Sequence, residues 1–196
     1  MSVAPLAPHD LRVGDRVLPT GRRCLVMGVV NVTPDSFSDG GRYLDPAAAV
    51  AHGLALAGEG ADLLDVGGES TRPGATDVPQ AVELERVLPV IEELAATAGV
   101  PVSVDTRKAA VAAAALAAGA AMVNDVSAGR HDPDLLGVVA EAKVPLVLMH
   151  MLGTPATMQD DPRYDDVVAE VEAFLAERCL AAEFAGVDHE ALVVDP

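Results

Sequence analysis

The chain contains no tryptophan, and only 3% of its 196 residues are aromatic. Surfaces that stack nucleic-acid bases are built from aromatic side chains, so this composition argues against them. Basic residues are also scarce, because 13 Lys and Arg stand against 30 Asp and Glu and leave a net charge of −17. So acidic a surface repels phosphate backbones and anionic lipid, and we expect neither nucleic acid nor a membrane as a partner.

Cysteines and long apolar runs are likewise few. The two cysteines, Cys24 and Cys179, are far apart and match no metal or redox spacing, which favours reduced thiols in a cytoplasmic protein. No uninterrupted apolar run reaches the roughly 18 residues that a spanning helix needs, and no apolar signal region follows Met1. We therefore expect a cytoplasmic location.

Hydrophobic residues make up 51% of the chain, which is enough to bury a core. Six short apolar runs each close on a polar residue able to do chemistry, and stretches with helical periodicity separate them. This alternation predicts a parallel α/β fold with a pocket outside the carboxyl ends of the strands. The runs close on Asn31, Asp65, Asp105, Asn124-Asp125, His150 and Asp195.

Turn signals at Gly14-Asp15 and Thr20-Gly21 predict a hairpin within residues 10–24, placed to plug the floor of a barrel. We expect two regions: an amino-terminal extension over residues 1–24 and a barrel domain over residues 25–196. Polar groups at every strand end favour a (β/α)8 barrel over an open doubly wound sheet, although only about six βα units are present. The predicted strands are Leu25–Val30, Leu63–Val66, Val102–Val104, Met122–Val126, Val144–Met149 and Leu192–Val194.

Helices fill the intervals, and Asp45-Pro46 supplies the first with an N-cap and a first-turn proline. Apolar spacing predicts which residues face inward on the first and last helices. On the first helix these are Val50, Leu54 and Ala57; on the last they are Val167, Val171, Phe174 and Leu175.

Two loops carry groups suited to an anionic ligand. Asn31 offers a neutral oxygen to a hard cation such as Mg²⁺, and the loop after it, with Pro34, Phe37 and a glycine hinge, suits a lid. Thr71 and Arg72 offer a hydroxyl and a planar fork for phosphate. The alternatives are an ordinary polar loop in the first case and, in the second, an Arg72 neutralised structurally by Glu69 or Asp65.

A third group at the strand ends suits a heterocycle. Carboxylates accept paired N–H donors, as on a 2-aminopyrimidinone ring, and an asparagine adds one donor and one acceptor. We assign this role to Asp105, Asn124 and Asp195, with Asp125 in the same group; the alternative is that the carboxylates pair with Arg107, Lys108 or Arg130. Met149 is predicted as pocket wall, and His150 as a hydrogen-bonded residue behind the site.

These motifs resemble those of the dihydropteroate synthases, the pterin-binding enzymes of bacterial folate biosynthesis. The resemblance runs from Leu25 to Pro196 and rests on the Asn31–Gly41 loop, Gly68-Glu69-Ser70-Thr71-Arg72-Pro73-Gly74, Val102–Thr106, Asn124-Asp125-Val126-Ser127 and His150-Met151-Leu152-Gly153-Thr154-Pro155. It implies a (β/α)8 barrel that condenses 4-aminobenzoate with a hydroxymethyl-dihydropterin diphosphate, using Mg²⁺, in a homodimer that sulfonamides target.

By motif, the resemblance also implies a role for each site residue. Catalytic roles fall to Asp35, Arg72 and Asp105. Asn31 would contact metal and diphosphate; Asp105, Asn124 and Asp195 would bind the pterin edge; Thr71 and Arg72 would hold diphosphate and seat aminobenzoate; Pro34, Asp35 and Phe37 would close over the site, beside Met149.

The family pattern continues past Asp195-Pro196 with two further strands that carry a Lys and an Arg/His pair. We therefore expect the 196 residues to be an amino-terminal part of the enzyme with little activity alone. Two other functions stay open. One is a methyltetrahydrofolate methyltransferase, which would share the pterin readers but not Arg72 or the metal; the other is a non-catalytic pterin-binding paralogue.

Overall fold

The computed structural model describes residues 10–21, 23–33, 45–70, 77–159 and 161–196. Strands β1 (Asp10–Val13) and β2 (Arg16–Pro19) form an antiparallel hairpin around a turn at Gly14. Gly14 has φ +62°, in the left-handed region that glycine adopts without strain. The predicted hairpin is thus confirmed.

Six further strands form one parallel sheet in chain order, which confirms the predicted fold class. Each strand begins or ends within two residues of its predicted bounds. The strands are β3 (Met27–Asn31), β4 (Leu63–Gly67), β5 (Val102–Asp105), β6 (Met122–Asp125), β7 (Leu146–Met149) and β8 (Leu192–Asp195). Among the strands that the structure describes, none pairs with the outer edge of β3 or of β8, so this sheet is not a closed barrel.

A helix connects each strand of this sheet to the next, as parallel pairing requires. The first begins where the Asp45 carboxylate accepts a hydrogen bond from the Ala47 amide at 2.9 Å. The helices are α1 (Pro46–Glu59), α2 (Gln80–Thr97), α3 (Ala109–Ala117), α4 (Asp134–Ala142) and α5 (Val167–Phe184), with a 3-10 turn at His189–Ala191. In the described parts of the chain, no helix is long and apolar enough to cross a membrane.

The two faces of the sheet bury different sets of residues, because successive side chains of a strand point to opposite faces. The outer face packs against the helices through Val30, Leu64, Val66, Val104, Val123 and Leu148. On the inner face, Leu63, Met122 and Val147 form a floor with Leu11, Val13 and Leu18 of the hairpin. The hairpin therefore closes the amino-terminal end of the inner face.

The predicted inward faces of two helices are wrong in part. On α1, Leu54 is 39% exposed, whereas Ala49 and Gly53 are buried. The small residues let Leu94 of α2 approach closely, since a Cβ added to Gly53 would lie 2.8 Å from Leu94 Cδ1.

On α5, Val167 is 52% exposed, and of the four residues predicted to face inward only Leu175 is fully buried. Apolar residues occur all around this helix and do not define one stripe, because Val168, Leu180 and Phe184 are exposed as well.

Candidate active site

Five of the ten predicted site residues lie at the carboxyl ends of strands on the inner face. Strand register sets Asn31 beside Gly67, Gly67 beside Asp105, and Asp105 beside Asn124. Met149 and Asp195 pair with each other at the ends of β7 and β8. We call Asn31, Asp105, Asn124, Met149 and Asp195 the inner row. The other five, Pro34, Asp35, Phe37, Thr71 and Arg72, lie outside the described residues.

Asp105 is half-buried at the centre of the inner row, and no side chain of the described ranges bonds its carboxylate. Gly67 leaves space beside it, since a Cβ added there would lie 3.3 Å from Asp105 Oδ2. Burial raises the pKa of Asp105 well above its ordinary value. Four further carboxylates push this pKa in the same direction, namely Asp65, Asp125, Glu83 and Glu69.

A second layer of polar groups lies below the inner row. Asp65, on β4, is 4% exposed and accepts hydrogen bonds from Ser103 Oγ at 2.5 Å and from Asn124 Nδ2 at 2.9 Å. Burial raises the pKa of Asp65, and these two bonds partly oppose the rise. Asn124 is therefore fixed on one side by a buried carboxylate.

Asn31 ends β3 half-buried, and the neighbouring Val32 amide donates to the Gly67 carbonyl at 2.7 Å, which holds this strand end against β4. Within the ranges described, no three His, Cys, Asp or Glu residues cluster as a metal cage. Magnesium usually takes one or two protein oxygens and completes its shell with water and phosphate. One asparagine oxygen fits that pattern when a diphosphate supplies further oxygens.

Asp195 is exposed at the end of β8, and its carbonyl accepts from the His150 amide at 2.8 Å. The His150 ring meets the edge of Phe174 at 5.0 Å, away from the inner row, and burial followed by the charge of Arg130 lowers the pKa of His150. Arg130 itself donates to the Met151 carbonyl at 2.7 Å and stacks on Phe174. The His150 ring thus packs against Phe174, and its place as a hydrogen-bonded residue behind the site stays a prediction.

A group of ion pairs fills the space between β4, α2 and the start of α3. Arg107 Nη2 bonds Glu69 and Asp77, each at 3.0 Å, and Lys108 Nζ bonds Glu69 at 2.8 Å and Glu83 at 2.5 Å. We call these five residues the ion cluster. Glu83 is fully buried within α2, where it bonds Lys108 and accepts a hydrogen bond from the Thr106 hydroxyl.

The ion cluster bears on one alternative that the sequence leaves open, the pairing of Asp105 with Arg107 or Lys108. Burial pushes the pKa of Glu69 upward, but Lys108, the Val78 amide and Arg107 outweigh it and hold that pKa below its ordinary value. Glu69 thus meets Lys108 and Arg107, while Asp65 meets Ser103 and Asn124. Arg72 lies outside the described residues, so its pairing with either carboxylate stays a hypothesis. Arg107 and Lys108 in turn pair with the cluster and not with Asp105.

Asp125 does not belong with Asp105 and Asn124, which corrects the grouping made from sequence. It lies one residue after Asn124 and so faces the opposite side of the strand. Its carboxylate accepts from the Ser127 amide at 2.8 Å, the Ser127 hydroxyl at 2.7 Å and the Gly129 amide at 2.5 Å. Asp125 therefore holds the turn after β6.

Sequence reasoning placed Asp65 at a strand end but did not predict its bonds to Ser103 and Asn124, and it did not identify Ser103 or Glu83 as parts of this region. For Asp65 and Ser103 a signal exists, because each stands two residues before an inward strand end, at Gly67 and Asp105. Glu83 lies four residues before Val87, on the apolar stripe of α2. A carboxylate on such a stripe indicates a buried partner.

With this geometry in place, comparison with known proteins is informative. Residues 27–196 match a protein-family model described as "Pterin binding enzyme". The dihydropteroate synthase of Mycobacterium leprae (strain TN) is 57% identical over 172 residues, which cover 87% of this chain and 60% of that protein.

Two solved structures are also similar. Dihydropteroate synthase from Xanthomonas albilineans with 4-aminobenzoic acid aligns with a TM-score of 0.88 at 58% identity, over 97% of this chain and 67% of that one. The same enzyme in complex with 7,8-dihydropteroate gives a TM-score of 0.82 at 55% identity, over 95% and 65%. The chain therefore spans about 60% to two thirds of the length of these relatives.

Proposed function

The chain belongs to the family of pterin-binding enzymes, and we propose that the protein of which it forms part is a dihydropteroate synthase. In this reaction 4-aminobenzoate and a dihydropterin-methyl diphosphate give dihydropteroate and diphosphate. The observation that carries the proposal is the inner row, where no side chain of the described ranges bonds the Asp105 carboxylate and the neighbouring Asn124 is held by Asp65. Two solved structures of a similar enzyme, one with 4-aminobenzoic acid and one with 7,8-dihydropteroate, support the choice of substrates.

Asp105, Asn124 and Asp195 take the pterin edge in this proposal. Carboxylate oxygens accept the N–H groups of the ring, and the amide of Asn124 adds a donor and an acceptor. Ionised Asp105 is costly in the empty pocket, because burial and neighbouring carboxylates raise its pKa. Ring N–H donors, or positive charge on the ring, relieve that cost and so favour binding.

The reaction needs no nucleophile from the protein. The bond between the pterin methylene and the diphosphate oxygen breaks, and its electron pair leaves on that oxygen. The amine of 4-aminobenzoate forms the new C–N bond and releases a proton. Carboxylates beside the pterin stabilise positive charge on the ring as the diphosphate departs.

We assign the diphosphate to Asn31, Thr71 and Arg72. Bound Mg²⁺ would supply charge neutralisation of the leaving group, with Asn31 as its protein ligand. Arg72 would bind phosphate oxygens and, with Thr71, seat the aminobenzoate. Pro34, Asp35 and Phe37 would exclude water above the reacting atoms, and Met149 would form the pocket wall.

Three further properties follow from the same assignment. Sulfonamides resemble 4-aminobenzoate and would compete for its place. A homodimer is the assembly that we propose for the whole protein, and the cytoplasm its location. Each of these rests on family membership.

Calorimetry with pterin diphosphate, with and without Mg²⁺, tests the function. It should use both the 196-residue chain and a form extended past Pro196 to the length of the relatives. We expect Asp105→Ala to weaken pterin binding about 10- to 100-fold in the extended form, because a charge-assisted hydrogen bond is lost. Asn31→Ala should reduce the Mg²⁺-dependent part only.

The same titrations separate the alternatives. A methyltransferase would bind a pterin equally well without its diphosphate, and Asn31→Ala would have no effect. A non-catalytic paralogue would bind both substrates and release no diphosphate. Either result in the extended form would reject the synthase assignment.

A further inference from the structure

The buried contact between Asp65 and Asn124 joins the second polar layer to the inner row. Asn124 Nδ2 lies 2.9 Å from Asp65 Oδ2, and the other Asp65 oxygen is taken by Ser103 Oγ at 2.5 Å. An ionised carboxylate has no proton to donate, so both neighbours must donate to it. The contact therefore fixes the Asn124 side-chain nitrogen toward Asp65, and it leaves the oxygen and the second N–H for a ligand.

The free groups of Asn124 then have a fixed order. One N–H is used by Asp65, and the second N–H and Oδ1 have no bond from other side chains in the ranges described. An asparagine amide can rotate by half a turn at little cost in shape, which exchanges its donor and its acceptor. A neutral amide in place of Asp65 would accept either orientation, whereas a carboxylate permits one.

We propose that Asp65 is a positioning residue, which fixes the orientation of the Asn124 amide and thereby selects ligands whose edge presents the matching order of donor and acceptor. The inference rests on the proposed function, because it takes the ligand to be a pterin ring. Asp65 is itself buried below the inner row and acts through Asn124.

Asp65→Asn is the central test, since it preserves shape and gives position 65 a donor. That donor allows Asn124 to turn its side-chain oxygen toward position 65 and its side-chain nitrogen toward the ligand. In the extended form we expect the KM for pterin diphosphate to rise about 3- to 10-fold, because only the molecules that keep the original Asn124 orientation bind the pterin. The KM for 4-aminobenzoate should stay within about twofold, and the melting temperature should not fall, because a buried charge has been removed.

A paired substitution separates orientation from stability. In Asp65→Asn/Asn124→Asp a donor again faces a carboxylate, so the hydrogen bond and the stability should be retained. Position 124 then offers acceptors alone to the ligand, and pterin binding should stay weak. If the double variant restores pterin binding to the level of the parent, the contact is only structural and the proposal fails.

Ser103→Ala is the matched control, because it removes the other bond to Asp65 and leaves the Asn124 contact in place. Its KM for pterin diphosphate should change by less than about threefold. The NMR signal of the Asn124 side-chain amide gives a direct readout in the 196-residue chain. It should move in Asp65→Asn and stay near its original position in Ser103→Ala.

Asn124→Ala distinguishes a failure of the proposed pterin site from a failure of the positioning role of Asp65. If this variant binds pterin diphosphate as tightly as the parent, the pterin site itself is misplaced and the proposed function fails. If it loses binding while Asp65→Asn keeps normal affinity for the pterin, only the positioning role of Asp65 is overturned.

Discussion

Two neighbouring acidic regions differ in the groups that bond their carboxylates. One is the inner row together with the polar layer below it, and the other is the ion cluster. In the ion cluster, Glu69 meets two cations, and its pKa lies below the ordinary value. On the inner face, Asp65 accepts from a hydroxyl and an amide, and Asp105 has no side-chain partner within the described ranges. Burial raises the pKa of both. Both regions lie along the same strands. The pKa values of their carboxylates therefore differ because the bonded groups differ, and not because of position in the sheet.

The difference separates residues that hold the fold from residues kept for a ligand. A buried carboxylate with a cation is satisfied without any substrate. A buried carboxylate without one stays poorly solvated until a ligand brings N–H groups or positive charge. Breaking the first kind should lower stability, and neutralising the second should raise it at the expense of binding.

The largest effect should come from the ion cluster. Lys108→Met removes the ion-pair partner of fully buried Glu83, and we expect the free energy of unfolding to fall by about 3–5 kcal/mol. Denaturant unfolding followed by circular dichroism measures it. Arg163→Met is the matched control, since Arg163 and Asp161 are mostly exposed and their pair should contribute less than about 1 kcal/mol. Equal losses in the two variants would refute the contrast.

Asp125 and Asp195 test the two faces of the sheet. Asp125→Ala removes three hydrogen bonds to the turn after β6, and we expect a loss of about 2–3 kcal/mol in unfolding free energy. Asp195→Ala, at an exposed inner-row position, should change stability by less than about 0.5 kcal/mol. Thermal and denaturant unfolding of both variants measure these changes in unfolding free energy. A larger loss for Asp195→Ala would contradict the prediction that Asp125, and not Asp195, is the carboxylate that stabilises the fold.

The third effect, smaller than the losses expected for Lys108→Met and Asp125→Ala, is a gain in stability. Asp105→Asn should raise the free energy of unfolding by about 1–2 kcal/mol at neutral pH, because ionised Asp105 is unfavourable in the folded chain. The raised pKa means that folded protein holds this proton more tightly than unfolded protein does. The cost in the parent therefore disappears as pH falls through the raised pKa toward about 4, the unfolded value.

Melts at several pH values check this sign. The stabilities of parent and Asp105→Asn should converge in acid and separate as pH rises. A difference in unfolding free energy that widens in acid would mean that Asp105 is stabilised as an anion, as Glu69 of the ion cluster is.

Much of the fold is readable from sequence because its signals are local. Apolar runs that close on polar residues predict the six parallel strands, and Asp45-Pro46 marks the start of α1. The inner row follows from the period of a strand, since Asn31, Asp105 and Asn124 are all terminal inward positions. Asp125 breaks the assignment because that same period turns it to the other face.

The remaining features depend on contacts between distant segments. Glu83 and Lys108 are 25 positions apart and meet only when α2 packs on the sheet. Asp65 and Asn124 are 59 apart, and their contact depends on the register of three strands. No single segment encodes these pairings, so the sequence alone does not predict the partners of Asp65 and Glu69.

The hairpin floor also constrains the order in which the molecule can fold. Leu11, Val13 and Leu18 are early in the chain, yet they pack with Met122 and Val147, which are made more than a hundred residues later. Contacts so distant in sequence form late, because a long loop must close first. During synthesis the hairpin is therefore made long before its partners, and its apolar side stays exposed to solvent. It packs against the inner face only after the strands that it contacts have assembled.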